Sequence, residues 1–308
     1  MTAGNASLVQ DESNARILVV AKDGSGDFSS ITDALKTLKG DSEELVKICI
    51  KSGIYNEKVL MNYTLCNVII EGESREDVVI TYGDYASLNN IGTSGSYTFR
   101  IDGNNITLRN LTVENSAGQV GQAVALHTVG DRIHVKNCKI LGNQDTLYAS
   151  GQKSRALFED CYIEGTVDFI FGAATALFRN CHIHAKSDSF LTAASTDKDN
   201  PIGYVFHKCK VTAAPEVKSV YLGRTWRPYA STFFIECELP QAIHPKGWHN
   251  WDNTDNEQTA RYGEFKCSGP GASEGERVEW RKILDDTEAA NLTDPSVLFA
   301  RSYSWIPE

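Results

Sequence analysis

The hydrophobic positions of the chain recur in a fixed local pattern. Each unit has an apolar residue, two variable residues, a cysteine, a variable residue and a second apolar residue, and one unit carries leucine in the cysteine position. The segments are Leu108–Val113, Val135–Ile140, Phe158–Ile163, Phe178–Ile183, Phe206–Val211 and Phe234–Leu239. Units of roughly 20 to 30 residues have too little interior to fold alone, so they must stack and bury one continuous core.

This repeat predicts an all-β solenoid, a parallel β-helix. The spacing between units varies while the core pattern stays constant, so insertions must be accommodated in turns on the outside. That arrangement fits a β-helix better than a propeller or a sandwich. Alternation along each short strand then places the apolar residues and the cysteines inward and the charged residues outward.

The five cysteines of these units would occupy the same phase of successive coils. A metal site would require close pairs such as Cys-x-x-Cys, and the chain has none. We therefore interpret them as a column of small buried thiols that fills a narrow interior. Oxidation of a neighbouring pair remains an alternative.

The two ends of the chain lack the repeat. Apolar residues at helical spacing follow a serine in the segment 29–38, which predicts a short helix closing the N-terminal end of the stack. From Trp280 the pattern is helical or irregular and ends in an exposed tail. No linker divides the chain, so we predict one β-helix domain over 17–300, with a disordered N-terminal tail (1–16) and a C-terminal tail (301–308).

Composition excludes some classes of function. The formal net charge of -10 and the sequence pI of about 5.3 argue against nucleic acid as a partner, because phosphate binding requires a basic face. No stretch approaches the roughly 18 apolar residues of a membrane span, and the first ten residues contain no apolar core of a signal peptide. We expect no membrane association.

Two aspartates are the first candidates for chemistry. Asp145 follows Cys138 by seven residues, and Asp168 follows Cys161 by seven. Equal phase in adjacent coils places their backbones about 4.8 Å apart. Two such carboxylates repel, so one pKa rises while the other stays low, which gives a proton donor beside an ionised group. The alternative, favoured for either aspartate alone, is a turn residue bonded to its own backbone.

An arginine and a tryptophan form a second candidate group. Arg224 precedes Cys237 by thirteen residues, as Asp168 precedes Cys181, so we expect it on the same face. A cation there would keep one aspartate ionised, and Trp226 could stack on a sugar ring. An arginine–tryptophan pair without function at the surface is the alternative.

Two glutamines add amide donors: Gln144 directly precedes Asp145, and Gln122 precedes the Cys138 strand. Other chemistries lack their motifs. The chain has no Gly-x-Ser-x-Gly elbow of a serine hydrolase, no histidine arrangement typical of a metal site, and no glycine-rich phosphate loop.

Four segments, taken in their order along the chain, resemble the signature of the pectinesterases, also called pectin methylesterases. They are Gln122–Leu126, Gln144–Leu147, Asp168–Gly172 and Leu222–Trp226. Segments 53–57 and 247–251 resemble further motifs of that family, and the resemblance runs from Ile17 to Phe299. It implies a right-handed parallel β-helix that hydrolyses the methyl esters of homogalacturonan. One departure is Thr225, where the family usually has proline, and we expect it to alter how Trp226 is presented.

The resemblance also implies the role of each residue. Asp168 would be the nucleophile and Asp145 the general acid and base. Gln122 and Gln144 would stabilise the oxyanion, and Arg224 would orient Asp168. Substrate contacts would come from Trp226 and Tyr148. Weaker candidates for such contacts are Val167 and Phe171.

By the same resemblance the protein would need no cofactor or metal. It would act as a monomer on methyl-esterified homogalacturonan in a secreted or periplasmic location. Alternatives are a pectin lyase, a galacturonan hydrolase that uses the two carboxylates as acid and base, and a β-helix that only binds polysaccharide. Neither rival enzyme accounts for the paired glutamines.

Overall fold

The computed structural model describes residues 12–272, 274–300 and 305. Its strands form three parallel sheets of ten, eight and seven strands. Apart from the first two strands, which pair with each other, consecutive strands of the chain go to different sheets, and each strand pairs with those of the neighbouring coils. The chain therefore winds as a parallel β-helix, which confirms the fold predicted from the repeat.

The strands are numbered in chain order. The ten-stranded sheet contains β1 (Arg16–Val20), β2 (Val46–Ile50), β5 (Cys66–Gly72), β8 (Asn104–Arg109), β11 (Ile133–Lys136), β14 (Arg155–Glu159), β17 (Thr175–Arg179), β20 (Tyr204–His207), β23 (Ser231–Ile235) and β25 (Arg261–Phe265). The eight-stranded sheet contains β4 (Val59–Met61), β7 (Phe99–Ile101), β10 (Leu126–Thr128), β13 (Leu147–Ala149), β16 (Ile170–Gly172), β19 (Ser189–Ala194), β22 (Val220–Thr225) and β24 (Trp248–His249). The seven-stranded sheet contains β3 (Gly53–Asn56), β6 (Val78–Tyr82), β9 (Thr112–Asn115), β12 (Lys139–Leu141), β15 (Tyr162–Gly165), β18 (His182–Ala185) and β21 (Lys210–Ala213).

The interior consists of columns of like residues, one from each coil. The first apolar positions of the repeat pair in register, namely Val135, Phe158, Phe178, Phe206 and Phe234. The four phenylalanine rings stack with successive centroid distances of 4.7, 4.4 and 4.4 Å. Aromatic stacking adds to the free energy gained from burial alone, so the repeat is a packing unit as predicted.

The cysteines form a second interior column. All eight cysteines of the chain are free thiols, and the five in the repeat are buried. Each of those five Sγ atoms lies 3.3 to 3.6 Å from a carbonyl oxygen of the preceding coil. The interpretation as buried thiols is confirmed. Cys267 extends the column, but the sequence pattern missed it because Glu264, buried in an ion pair with Arg277, stands in the apolar position.

The N-terminal end is closed by the predicted helix, α1 (Ile31–Lys36). The Ser30 side chain caps it by accepting a hydrogen bond from the Asp33 N–H at 3.2 Å. The buried residues Ile31 and Leu35 belong to the main core. The helix therefore seals the open end of the stack.

The predicted N-terminal tail is shorter than expected. The segment Glu12–Asn14 forms a turn of 3₁₀-helix, and β1 begins at Arg16. The Glu12 carboxylate accepts hydrogen bonds from Arg109 at 2.7 and 2.8 Å and from Lys47 at 3.2 Å. The prediction of disorder is thus wrong for 12–16, because these ion pairs fix the segment on the ten-stranded sheet. Residues 1–11 lie outside the described part of the chain.

The C-terminal part is helical, in the helices α2 (Asp286–Thr293) and α3 (Pro295–Leu298). With Phe299 and Trp305 they cover the outer face of the ten-stranded sheet, where consecutive coils present apolar side chains. Those side chains are Leu157, Leu177, Val205 and Phe233. The prediction of an irregular, exposed tail is wrong at Trp305, which is buried because it packs with these outward-facing apolar side chains. Residues 301–304 and 306–308 are not described.

No helix in the described ranges is both long enough and apolar enough to cross a bilayer.

Candidate active site

Two aspartates mark the centre of a cleft on the eight-stranded sheet. Asp145 and Asp168 each lie two residues before a strand, β13 and β16, and these strands pair in register. Both residues have positive φ, 66° and 48°, a conformation that aspartate tolerates better than most residues. The Asp145 N–H donates to the Val167 carbonyl at 3.1 Å and the Asp168 N–H donates to the Phe190 carbonyl at 3.0 Å. The predicted equal phase in adjacent coils is confirmed.

Arg224 holds one aspartate and not the other. Its Nε donates to Asp168 Oδ1 at 2.9 Å and its Nη2 donates to Asp168 Oδ2 at 2.6 Å. This two-point contact is the strongest geometry available to a carboxylate and a guanidinium. Because the pair is largely shielded from solvent, the ion pair is weakly screened. The expectation that Arg224 faces the aspartates is confirmed.

The register of Arg224 differs from the count that predicted it. Strand pairing places Arg224 in the column of Ala193 and Phe171, and Phe171 lies three residues beyond Asp168 in its own coil. The arginine thus starts three positions further along the sheet, two coils away, and its long side chain extends back to the carboxylate. Equal spacing from a cysteine therefore identified the face of the sheet but not the column.

Two aromatic rings enclose the guanidinium. The Arg224 Cζ lies 3.5 Å from the ring centroid of Trp251 and 4.1 Å from that of Phe190. Aromatic faces attract a cation, and they do so more strongly where water is excluded. The rings restrict the guanidinium to the plane in which it meets Asp168.

The two carboxyl groups have unequal electrostatics. Burial, and then the charge of Asp168, raise the pKa of Asp145 to about 8, and Arg224 opposes this rise. Burial also raises the pKa of Asp168, but there the hydrogen bonds and the charge of Arg224 oppose the rise directly. With a pKa of about 8, Asp145 therefore keeps its proton at neutral pH, while Arg224 stabilises the charged form of the neighbouring Asp168 carboxyl.

The cleft has a volume of about 410 Å³ and combines amide, carboxyl and aromatic groups. Its lining residues are Thr93, Ser94, Gln122, Gln144, Asp145, Tyr148, Asp168, Phe171, Ala193, Arg224, Trp226 and Trp251. The side-chain amides of Gln122 and Gln144 have no hydrogen-bond partner among the described residues, so both can donate into the cleft. The structure thus brings together eight of the nine residues predicted from the sequence.

The aromatic floor of the cleft follows from the strand register. The Tyr148 ring stacks on Phe171 at 4.1 Å and on His127 at 4.3 Å, and Trp226 lies 5.9 Å from Phe171. Val167 is the ninth predicted residue and lies outside this lining. It is half-buried, and its contribution is the carbonyl that accepts the Asp145 N–H.

The sequence did not single out four of the lining residues or the ring of Phe190. Trp251 stands in the segment 247–251, for which the family resemblance gives no residue roles, and pairing of β24 with β22 places it near Arg224. Thr93 and Ser94 come from the connection between β6 and β7, for which the repeat gives no signal. Ala193 lines the cleft because strand pairing places it beside Phe171.

Among the described residues, no group of three or more histidine, cysteine, aspartate or glutamate side chains is placed to hold a metal ion.

Together, a protonated carboxyl, a carboxylate paired with arginine and two free amide donors are groups that a carboxylic ester hydrolase built on a β-helix can use. A model of the pectinesterase family matches residues 17–300. Pectinesterase 31 of Arabidopsis thaliana is 38% identical over 292 residues, which cover 91% of this chain and 92% of that protein. The chain belongs to the pectinesterase family.

Solved structures agree with this assignment. A pectin methylesterase from carrot is similar with a TM-score of 0.86 and 31% identity, over 97% of this chain and 94% of that one. A pectin methylesterase in complex with a hexasaccharide is similar with a TM-score of 0.80 and 30% identity, over 94% and 98%. The fold is the right-handed parallel β-helix predicted.

Proposed function

We propose that the protein hydrolyses the C6 methyl esters of homogalacturonan, with Asp168 as the nucleophile and Asp145 as the general acid and base. The observation that carries the proposal is the two-point contact of Arg224 with Asp168, next to a carboxyl whose pKa is about 8. One carboxyl can therefore attack while its neighbour still has a proton to give.

In the first half of the reaction an Asp168 carboxylate oxygen attacks the ester carbonyl carbon. The carbonyl oxygen becomes an oxyanion, which accepts hydrogen bonds from the amides of Gln122 and Gln144. One such donor typically contributes ~3 kcal/mol. The intermediate collapses by breaking the bond to the methoxy group, which takes the Asp145 proton and leaves as methanol. An acyl group remains on Asp168 as a mixed anhydride.

In the second half Asp145, now ionised, accepts a proton from water. The hydroxide equivalent attacks the acyl carbon, the bond to Asp168 breaks, and the free acid of the sugar is released. Asp145 ends protonated and Asp168 ends as a carboxylate paired with Arg224. Both groups thus return to the protonation states that their surroundings favour.

The aromatic floor suits a polymeric sugar. The faces of the Tyr148 ring are covered by His127 and Phe171. Trp226 is tilted by 58° to Phe171, so it is the ring of this floor on which the apolar face of a pyranose can stack. Thr225, where the family usually has proline, is fully buried, and its hydroxyl accepts a hydrogen bond from Asn256 at 2.9 Å. This contact supports the expectation that Thr225 affects the presentation of Trp226.

We further propose that the protein acts as a monomer, without a cofactor or metal, in a secreted or periplasmic location. The last point rests on the substrate, since pectin lies outside cells.

Methanol release from methylated pectin tests the proposal, with an Asp168→Asn variant as control. We expect the parent to release methanol, and the variant to lose about 10⁴-fold or more in kcat, because an amide is not a nucleophile here. Asparagine tolerates positive φ, so the fold should survive. New reducing ends or an unsaturated product absorbing in the ultraviolet would instead indicate a glycosidase or a lyase.

A further inference from the structure

Two tryptophans of the cleft come from separate segments of the chain. Trp226 follows β22 directly, and Trp251 lies in the connection after β24. Both are half-buried and line the cleft, and Trp251 also covers the guanidinium of Arg224. Their relative placement therefore determines the space for a sugar ring.

One buried side chain bonds to the backbone beside both of them. Asn256 is only 4% exposed, and its Nδ2 donates to Thr225 Oγ1 at 2.9 Å, to the Thr225 carbonyl at 3.3 Å and to the Asn250 carbonyl at 3.4 Å. Thr225 immediately precedes Trp226, and Asn250 immediately precedes Trp251. A single amide group thus ties the two segments together at the residue before each tryptophan.

The tie is itself held firmly. Asn256 lies within a 3₁₀-helix, Thr254–Gln258, whose first residues are capped by the Asn253 side chain accepting from the Asp255 N–H at 3.1 Å. The Asn256 carbonyl accepts from the N–H groups of Thr259 and Ala260. Because Thr225 is fully buried, removing the amide would leave its hydroxyl without this donor, and water is poorly placed to replace it.

We infer that Asn256 is a positioning residue that fixes Trp226 and Trp251 relative to each other, and so sets how tightly the cleft holds a galacturonan ring. The inference rests on the proposed function for the identity of the sugar. Asn256 does not line the cleft, so its action is exerted through the two tryptophans. Loss of the tie raises the KM for an oligomer while leaving the reacting groups, including the contact of Arg224 with Asp168, in place.

Kinetics with a methylated galacturonan oligomer test this inference. For Asn256→Ala we expect KM to rise about tenfold and kcat to stay within about threefold of the parent. Thr225→Val, which keeps the shape but removes the hydroxyl acceptor, should raise KM several-fold, and Thr225→Ser should restore the parent value. Asn253→Ala is the matched control, because it removes the cap of the same 3₁₀-helix but leaves the tie, and its KM should match the parent.

A purely structural role predicts a different result. Partial unfolding lowers the concentration of active enzyme, so apparent kcat would fall in Asn256→Ala and Thr225→Val while KM stayed at the parent value, and that result would overturn the inference. Calorimetric binding of the same oligomer distinguishes a failure of this inference from a failure of the proposed function. A parent that binds the oligomer but releases no methanol refutes the proposed function, while a weaker Kd in Asn256→Ala still supports the tie. An unchanged Kd refutes the tie.

Discussion

The molecule contains two columns of ionisable side chains, the interior cysteines and the cleft aspartates. In each column the side chains come from the same position of successive coils. In both, adjacent coils bring the groups together, and burial raises the pKa, as for the thiols of Cys161 and Cys181 and the carboxyls of Asp145 and Asp168. Stacking alone therefore gives proximity and a shifted pKa. It does not distinguish a packing column from a reactive one.

The difference lies in what surrounds each column. The thiols of Cys161 and Cys181 each face a carbonyl oxygen of the preceding coil inside the helix, which favours the protonated, unreactive form of the thiol. The aspartates face a cleft, and Arg224 contacts one of them alone. A single cation thus makes two equivalent positions unequal, and this asymmetry is what the chemistry requires.

Removing the proton donor from the aspartate column should have the largest effect after loss of the nucleophile. We expect Asp145→Asn to lower kcat by about 10³-fold, within the usual range for loss of a general acid or base. Asparagine keeps the shape and the positive φ. Methanol release measured at saturating pectin checks the value. A loss below about tenfold would mean that another group or water supplies the proton.

Replacing Arg224 by lysine should have the next largest effect on activity. Lysine keeps the charge of Arg224, but it cannot make two parallel hydrogen bonds or stack flat between Phe190 and Trp251. We therefore expect Arg224→Lys to lower kcat/KM about 10²-fold. If kcat/KM of this variant matched the parent, charge alone would explain the role of Arg224, and the enclosing rings would be dispensable. Arg179→Lys, on the ten-stranded sheet and paired with Glu159, is the control.

The shifted pKa of Asp145 should also be visible in stability. An unfolded aspartate loses its proton near its ordinary pKa of 3.8, while folded Asp145 keeps it up to about 8. Between these pH values the folded state binds one proton more, so this group makes unfolding easier as pH rises, by about 1.4 kcal/mol per pH unit.

Asparagine at this position removes the effect. Thermal unfolding should therefore show Asp145→Asn melting several degrees above the parent at pH 8, with the gap closing towards pH 4. The same gap at both pH values would contradict a raised pKa of Asp145.

The sequence predicted the interior and the aspartate pair for the same reason. Columns at equal phase require only a constant distance between a residue and the core cysteine of its own coil. Between Cys138 and Asp145, and between Cys161 and Asp168, that distance is the same, so both the stacked thiols and the stacked carboxyls could be located. Strand alternation then predicted which side chains point inward and which point outward.

Arg224 shows where such counting fails. The distance from Arg224 to Cys237 crosses the turn at 226–230, whereas the distance from Asp168 to Cys181 crosses the shorter turn at 173–174. The three extra residues of the longer turn account for the three-position shift of Arg224 along the sheet. Turn length is set by local contacts outside the repeat, so the pattern carries no information about it.

Trp251 and Phe190 were missed for a related reason. Their role depends on a long side chain from another coil lying between them, and a repeat of backbone positions does not encode that. The tie through Asn256 is equally invisible, since it joins segments whose only common feature is adjacency in space.

The smallest effect on activity is expected from the thiol column. Cys181→Ala removes a buried sulfur and leaves a small cavity between stacked coils, so we expect a loss of about 1–2 kcal/mol in the free energy of unfolding. Methanol release should be unchanged, because Cys181 faces the interior and no group of the cleft depends on its charge. Urea unfolding and kcat/KM of the same preparation provide the measurement. A tenfold loss of kcat/KM with intact folding would show that the two columns are coupled through the coil, and the distinction between packing and reactive columns would fail.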